Sequence, residues 1–206
     1  MPRKVVPLVT DEYYHVFNRG ADKRDIFMDK ADYLRFYQSL NFFNTQDPTV
    51  NFDSAKVLQK NTLYQSRLVE VKAYALLPNH YHLVLKQLVD GGVSEYIKRI
   101  SGGYTSYFNQ KQKRSGVLFQ GKFKRVHIDS DTQYQYLLVY VNENHTVHNV
   151  TSQREICHTS SLHYQGLAKS VIISAAPGNY DYNEAVTLAE TIYGKRQLIK
   201  SEILFE

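Results

Sequence analysis

The 206 residues include 43% hydrophobic and 22% charged side chains, enough to bury a core and too apolar for wholesale disorder. Twenty-five Lys and Arg against 20 Asp and Glu give +5, alongside 17 Tyr and 10 Phe, a balance that suits a nucleic-acid partner. A single cysteine, Cys157, excludes a disulfide framework and a cysteine zinc cage, and no apolar run approaches the roughly 18 residues of a membrane span.

The N-terminal stretch MPRKVVPLVTDEYY lacks the apolar core and small-residue cleavage site of a signal peptide, so a soluble cytoplasmic protein is expected. Tyr13 to Arg19 (YYHVFNR) mixes aromatic and β-branched residues and ends at Gly20, which predicts a strand. Asp29 then opens a helix, with Tyr33, Phe36, Tyr37 and Leu40 on one face. Residues 41–65 are polar, broken by Pro48, and read as an insertion holding a short helix near Ser54 to Gln59. Leu68 to Leu77 and His80 to Leu88, joined across Pro78-Asn79, predict an antiparallel hairpin. Ser94 starts a second helix, in which Gly102-Gly103 implies a kink or a close approach. Val117 to Ile128 predicts a fourth strand, and Ser130 or Asp131 caps a third helix through Tyr134, Leu137, Leu138 and Val141.

The order β, α, ββ, α, β is the split βαβ of an α+β, ferredoxin-like fold. It implies a four-stranded antiparallel sheet with helices on one face, followed by a further helix. Residues 1–150 form the main domain, and 151–206 are expected as a C-terminal extension on the same domain. Within that extension Pro177-Gly178 marks a boundary and Asn183 to Arg196 a closing helix.

The charge is uneven. From Glu95 to His127 eight cations face one acid, interleaved with Tyr96, Tyr104, Tyr107, Phe108, Phe119 and Phe123. The candidate DNA-binding residues are therefore Lys98, Arg99, Lys111, Lys113, Arg114, Gln120, Lys122, Lys124 and Arg125, with Asn109 as a second amide for base contacts. Arg3 and Lys4 in the N-terminal arm add phosphate or base contacts.

His80-Tyr81-His82 puts two imidazoles on one face of a strand, about 7 Å apart at Cα, and the tyrosine on the other. Such a pair suits one divalent cation, although two histidines near a turn also occur as surface or hydrogen-bonded residues. Tyr140 and Asn144 lie one helical turn apart. Spacing alone favours a tyrosine stripe packed on the sheet, since Tyr136 and Tyr140 share core spacing.

Taken together, LLPNHYHLVL, GVLFQGKFKRV and YVNENHTVHNV resemble the single-tyrosine HUH transposases, and within them the REP-associated tyrosine transposases. HVFNRG (His15 to Gly20) and HTSSLHY (His158 to Tyr164) support the resemblance, which covers roughly Tyr13 to Tyr164. It implies that His80, His82 and Asn144 hold a divalent metal, Mg²⁺ or Mn²⁺, and that Tyr140 is the nucleophile. The family often carries Asn-Pro-Val where this chain has Asn144-His145-Thr146, which makes His145 a rival third ligand. Asn142 is a rival amide and Tyr136 a rival nucleophile.

The implied activity is a transposase-type endonuclease and strand transferase. It acts on single-stranded or hairpin DNA through a 5′-phosphotyrosine, as a monomer or homodimer near the bacterial nucleoid. Three other readings stand beside it. A ferredoxin-like RNA-binding module would carry aromatics on its exposed central strands. A domesticated DNA-hairpin binder would keep the fold without cutting. A water-using phosphodiesterase lacks a carboxylate beside the histidines.

Overall fold

The computed structural model describes residues 7–47, 51–53, 66–143, 158–174 and 181–187. In chain order these residues form β1 (Tyr13–Arg19), α1 (Lys30–Phe42), β2 (Val69–Leu77), β3 (His80–Gln87) and α2 (Gly92–Lys111). There follow β4 (Lys124–Ile128), α3 (Asp131–Asn142), β5 (His158–Thr159) and α4 (Ser161–Tyr164). The strand order is β4-β1-β3-β2-β5, antiparallel throughout. The first four strands make the expected α+β, ferredoxin-like sheet.

Two features differ from the sequence expectation. The sheet has five strands, because His158 and Thr159 pair with Leu76 and Ala75 at its far edge. Two paired residues carry no alternation that sequence could reveal. The fourth strand also begins at Lys124, not Val117. Leu118 and Phe119 tuck into the core, and Gly121 adopts a left-handed φ of 95°, which ends regular extension before it.

Helix positions follow local chemistry. Asp29 caps α1 by accepting from the Ala31 and Asp32 amides. Ser130 caps α3 by accepting from Gln133 N–H, while Gln133 Oε1 accepts from Asp129 N–H, a near capping box. Helix α2 runs unbroken through Gly102-Gly103. A Cβ at Gly103 would stand 2.9 Å from Phe43 Cε2, so the glycine serves a close approach and no kink is present.

The sheet is covered on both faces. Tyr14, Val16, Tyr81, Leu83 and Leu85 pack with α1 and α2 in the larger core. Ala73, Ala75 and Val84 pack with Leu137, Leu138, Tyr140 and Val141 of α3 on the opposite face. Alanines on β2 leave room for that helix to sit close. A β-bulge between Val71 and Ala73 resets the alternation, so Val69 and Val71 join the first core and Ala73 and Ala75 the second.

Residues of the C-terminal portion touch this body at several points. Ile173 bridges to Val71, Tyr182 Oη donates to Glu143, and Ser160 Oγ donates to Asn142 Oδ1. The expected insertion helix near Ser54 to Gln59 lies outside the described residues, as do Arg3, Lys4, Cys157 and the Pro177-Gly178 boundary. Of the closing helix, 182–187 are helical.

Candidate active site

The period-two geometry of β3 decides which side chains meet. Tyr81 is fully buried against α1 and α2, while His80 and His82 point to the face that α3 covers. Imidazoles at these positions read from sequence as exposed. His82 is instead only 5% exposed, because Tyr140 of α3 lies over it. The Tyr140 ring stands edge-on to His82 with centroids 5.8 Å apart, and is itself 6% exposed. The His80 and His82 rings are 5.1 Å apart. The structure therefore brings together His80, His82 and Tyr140, from two elements 58 positions apart at His82 and Tyr140.

The hydrogen bonds assign the histidine nitrogens. His80 Nδ1 lies 2.6 Å from Asn79 Oδ1. An amide oxygen only accepts, so Nδ1 carries the proton, and in the neutral ring Nε2 keeps its lone pair. His82 Nδ1 lies 2.9 Å from His15 Nε2 on β1. His15 is 7% exposed, and burial pushes its pKa down to about 4, so its ring is neutral at physiological pH. Phe17 completes a stack, with centroids 5.1 Å from His15 and 5.5 Å from His82.

Asn144 and His145 both lie outside the described residues, so the third metal-side position is a sequence expectation alone. Among the described residues no cluster of three His, Cys, Asp or Glu side chains is arranged to hold a metal. The donor chemistry nonetheless fits a divalent cation. His80 is fixed in the tautomer that offers Nε2, and imidazole nitrogen suits first-row divalent ions. The rivals have other surroundings. Asn142 is fully buried and accepts from Ser160 Oγ, tying the end of α3 to β5. Tyr136 stacks on Tyr140 at 6.1 Å, one turn earlier on the helix.

The basic residues divide into two sets. Lys111 Nζ reaches Asp29 at 2.7 Å and Asp32 at 2.6 Å. Arg99 donates to Glu95 and to the Thr45 and Asp47 carbonyls. Arg114 donates to Asn109 Oδ1 and the Val117 carbonyl, while Asn109 Nδ2 donates to Gly116. These four side chains hold α1, α2 and the turn after α2 together, a structural use that the sequence-based grouping as DNA contacts did not distinguish. By contrast Lys113, Gln120, Lys122 and Lys124 are exposed and Arg125 is half-buried, while the exposed Lys98 pairs with Glu95 at 3.2 Å. Lys124 pairs across from Phe17, with Nζ 6.0 Å from the Phe17 ring, and so borders the histidine face directly.

Four residues near the histidines had no place in the sequence-based site: His15, Phe17, Asn79 and Arg19. Asn79 touches His80, and Arg19 pairs directly across β1–β3 from His80. For His15, Phe17 and Arg19 the signal was HVFNRG itself, since alternation puts these three on one face. Only the β1–β3 register shows that this face is the histidine face.

No protein-family model matches the chain, and no curated protein matches it. Among solved structures, the chain is similar to a REP-associated tyrosine transposase bound to a REP hairpin. The TM-score is 0.51 at 13% sequence identity, over 88% of this chain and 96% of the other. The chain therefore has a fold similar to that of this transposase. No helix among the described residues is long and apolar enough to cross a membrane.

Proposed function

We propose that the protein is a single-strand DNA endonuclease and strand transferase of the transposase type, which binds a DNA hairpin and cuts through Tyr140. The observation that carries this reading is the Tyr140 phenol ring standing edge-on over His82 beside His80, on a transposase-like fold. A ferredoxin-like RNA-binding module needs an open central sheet face. Here α1 and α2 cover one face and α3 covers the other.

A divalent cation, Mg²⁺ or Mn²⁺, held by His80 and His82 with Asn144, would supply Lewis acidity at the scissile phosphate. The chain's own residues do the rest. Tyr140 Oη attacks phosphorus, a P–Oη bond forms, and the P–O3′ bond breaks. The phenol proton is lost to solvent and the departing 3′ oxygen is protonated. The 5′-phosphotyrosine conserves the bond energy, so a DNA 3′-hydroxyl reverses the step on another end without ATP. Lys124, which borders Phe17, leads the strand toward this face together with Lys122, while Arg125, Lys98, Lys113 and Gln120 add cations and an amide around the rest of the basic segment.

Incubation with labelled single-stranded hairpin DNA and Mn²⁺, followed by a denaturing gel, tests the reading. Wild type is expected to give a covalent protein–DNA adduct that Tyr140→Phe eliminates and EDTA abolishes. Tyr140→Phe removes one oxygen, so folding and hairpin binding are expected to persist. An adduct mapping to Tyr136, or cleavage with no adduct, would overturn the assignment.

A further inference from the structure

We propose that His15 is the positioning residue of the metal site: its Nε2 accepts the Nδ1 proton of His82 and so turns His82 Nε2 toward the cation. This rests on the reading of His80 and His82 as a metal-binding pair. His15 then does for His82 what Asn79 Oδ1 does for His80.

The geometry comes from the register of β1 against β3. Phe17 pairs across from His82 and His15 across from Val84, so His15 sits diagonally beside His82 on the same face. The two rings are nearly parallel, 18° apart in plane, with centroids 5.1 Å apart. The nitrogens meet at 2.9 Å, within hydrogen-bond range.

Between two neutral imidazoles one nitrogen must donate and the other accept, so two arrangements are possible. In the first, His82 carries its proton on Nδ1 and its Nε2 lone pair can bind a cation. In the second, His15 donates from Nε2, which places the His82 proton on Nε2 and removes that lone pair. Only the first permits metal binding through Nε2, so a metal pair at positions 80 and 82 selects it. His15 must then carry its own proton on Nδ1.

Metal-ligating histidines commonly donate their other N–H to an acceptor that fixes ring orientation and tautomer. The usual acceptor is a carboxylate, a backbone carbonyl or a water. A carboxylate would add a negative charge beside the cation, whereas a buried neutral imidazole orients the ring without one. The Tyr140 ring lies 6.0 Å from His15, so a charge at position 15 would also stand beside the nucleophile.

Two variants separate acceptance from packing. His15→Gln keeps an acceptor oxygen but loses the aromatic stack with Phe17, whereas His15→Phe keeps an aromatic ring and removes the acceptor. Mn²⁺ affinity, measured on DNA-free protein by titration with electron paramagnetic resonance, is expected to fall about 10–100-fold in His15→Phe. Most of it is expected to return in His15→Gln. The reverse order, or equal affinity in wild type and His15→Phe, would overturn the role of His15 while leaving the metal pair intact. No Mn²⁺ binding by wild type would overturn both readings. Nitrogen-15 spectra of wild-type imidazoles decide the matter even if neither variant folds. Protonated Nδ1 on both His15 and His82 supports the proposal, and a proton on His15 Nε2 overturns it.

Discussion

At the scale of single residues, charge does two different jobs in this protein. Lys111 closes a buried cluster: Asp32 is fully buried, accepts from Met28 N–H and Tyr107 Oη, and meets Lys111 Nζ at 2.6 Å. Lys111→Met leaves that carboxylate without its cation and is expected to cost about 2–4 kcal/mol, toward the low side because the lysine is partly exposed. Denaturant unfolding measures the loss, and the salt dependence of DNA binding is expected to stay unchanged. A flattened salt slope with intact stability would return Lys111 to the DNA surface. Asp29 adds a pH signature. The hydrogen bond from Lys111 holds its pKa below the ordinary 3.8, so its contribution is complete above that value and is lost as pH falls below it. Asn caps a helix as well as Asp does, so Asp29→Asn removes the charge and keeps the cap. Its melting temperature is expected to lie slightly below wild type at pH 7, by no more than about 1 kcal/mol in stability. That gap closes as acid protonates Asp29 in the wild type. An equal gap at pH 7 and pH 2.5 would show that the ion pair contributes nothing.

At the scale of elements, β4 is where the basic segment becomes a surface. It is an edge strand, and Lys124 borders Phe17 on the histidine face while Arg125 projects to the other. Replacing Lys122, Lys124 and Arg125 together with Gln is expected to weaken hairpin binding and to flatten its log–log salt slope by up to about two to three units. An unchanged slope would place the binding surface elsewhere. The long periodic elements were legible in the sequence: β1 spans the expected Tyr13–Arg19, and the β2–β3 hairpin and α1 and α3 with their caps stand within a residue or so of expectation. Less legible were features decided by tertiary context. The turn at Gly121 shortens β4, and β5 exists because Ser160 and Thr159 dock on β2 and α3. The same divide holds in the site. That His80, His82 and Tyr140 meet was expected from the resemblance, whereas His15 and the ties of Lys111 and Arg99 to residues 29–47 depend on partners at least 50 positions away.

At the scale of the molecule, the connection between β4 and α3 decides whose tyrosine meets whose histidines. Ile128 ends β4 and Asp131 begins α3, so Asp129 and Ser130 alone span the turn. The three Cα steps from Ile128 to Asp131 reach at most about 11 Å, which keeps the start of α3 at the end of its own β4. Leu137, Leu138, Tyr140 and Val141 bury against Ala73, Ala75 and Val84 of the same chain, so the candidate nucleophile and imidazoles meet within one chain. A mixture of His82→Ala and Tyr140→Phe chains is therefore expected to yield no covalent DNA adduct, whether or not the protein dimerises. Each variant lacks one half of its own site, and neither lends the missing half while α3 stays packed on its own sheet. Adduct formation by wild type is correspondingly expected to be first order in protein at saturating hairpin. Recovery of adduct on mixing the variants would mean that α3 exchanges between subunits. Joining two DNA ends still asks for two tyrosine events, so strand transfer, unlike the first cut, would depend on a second molecule or a second turnover.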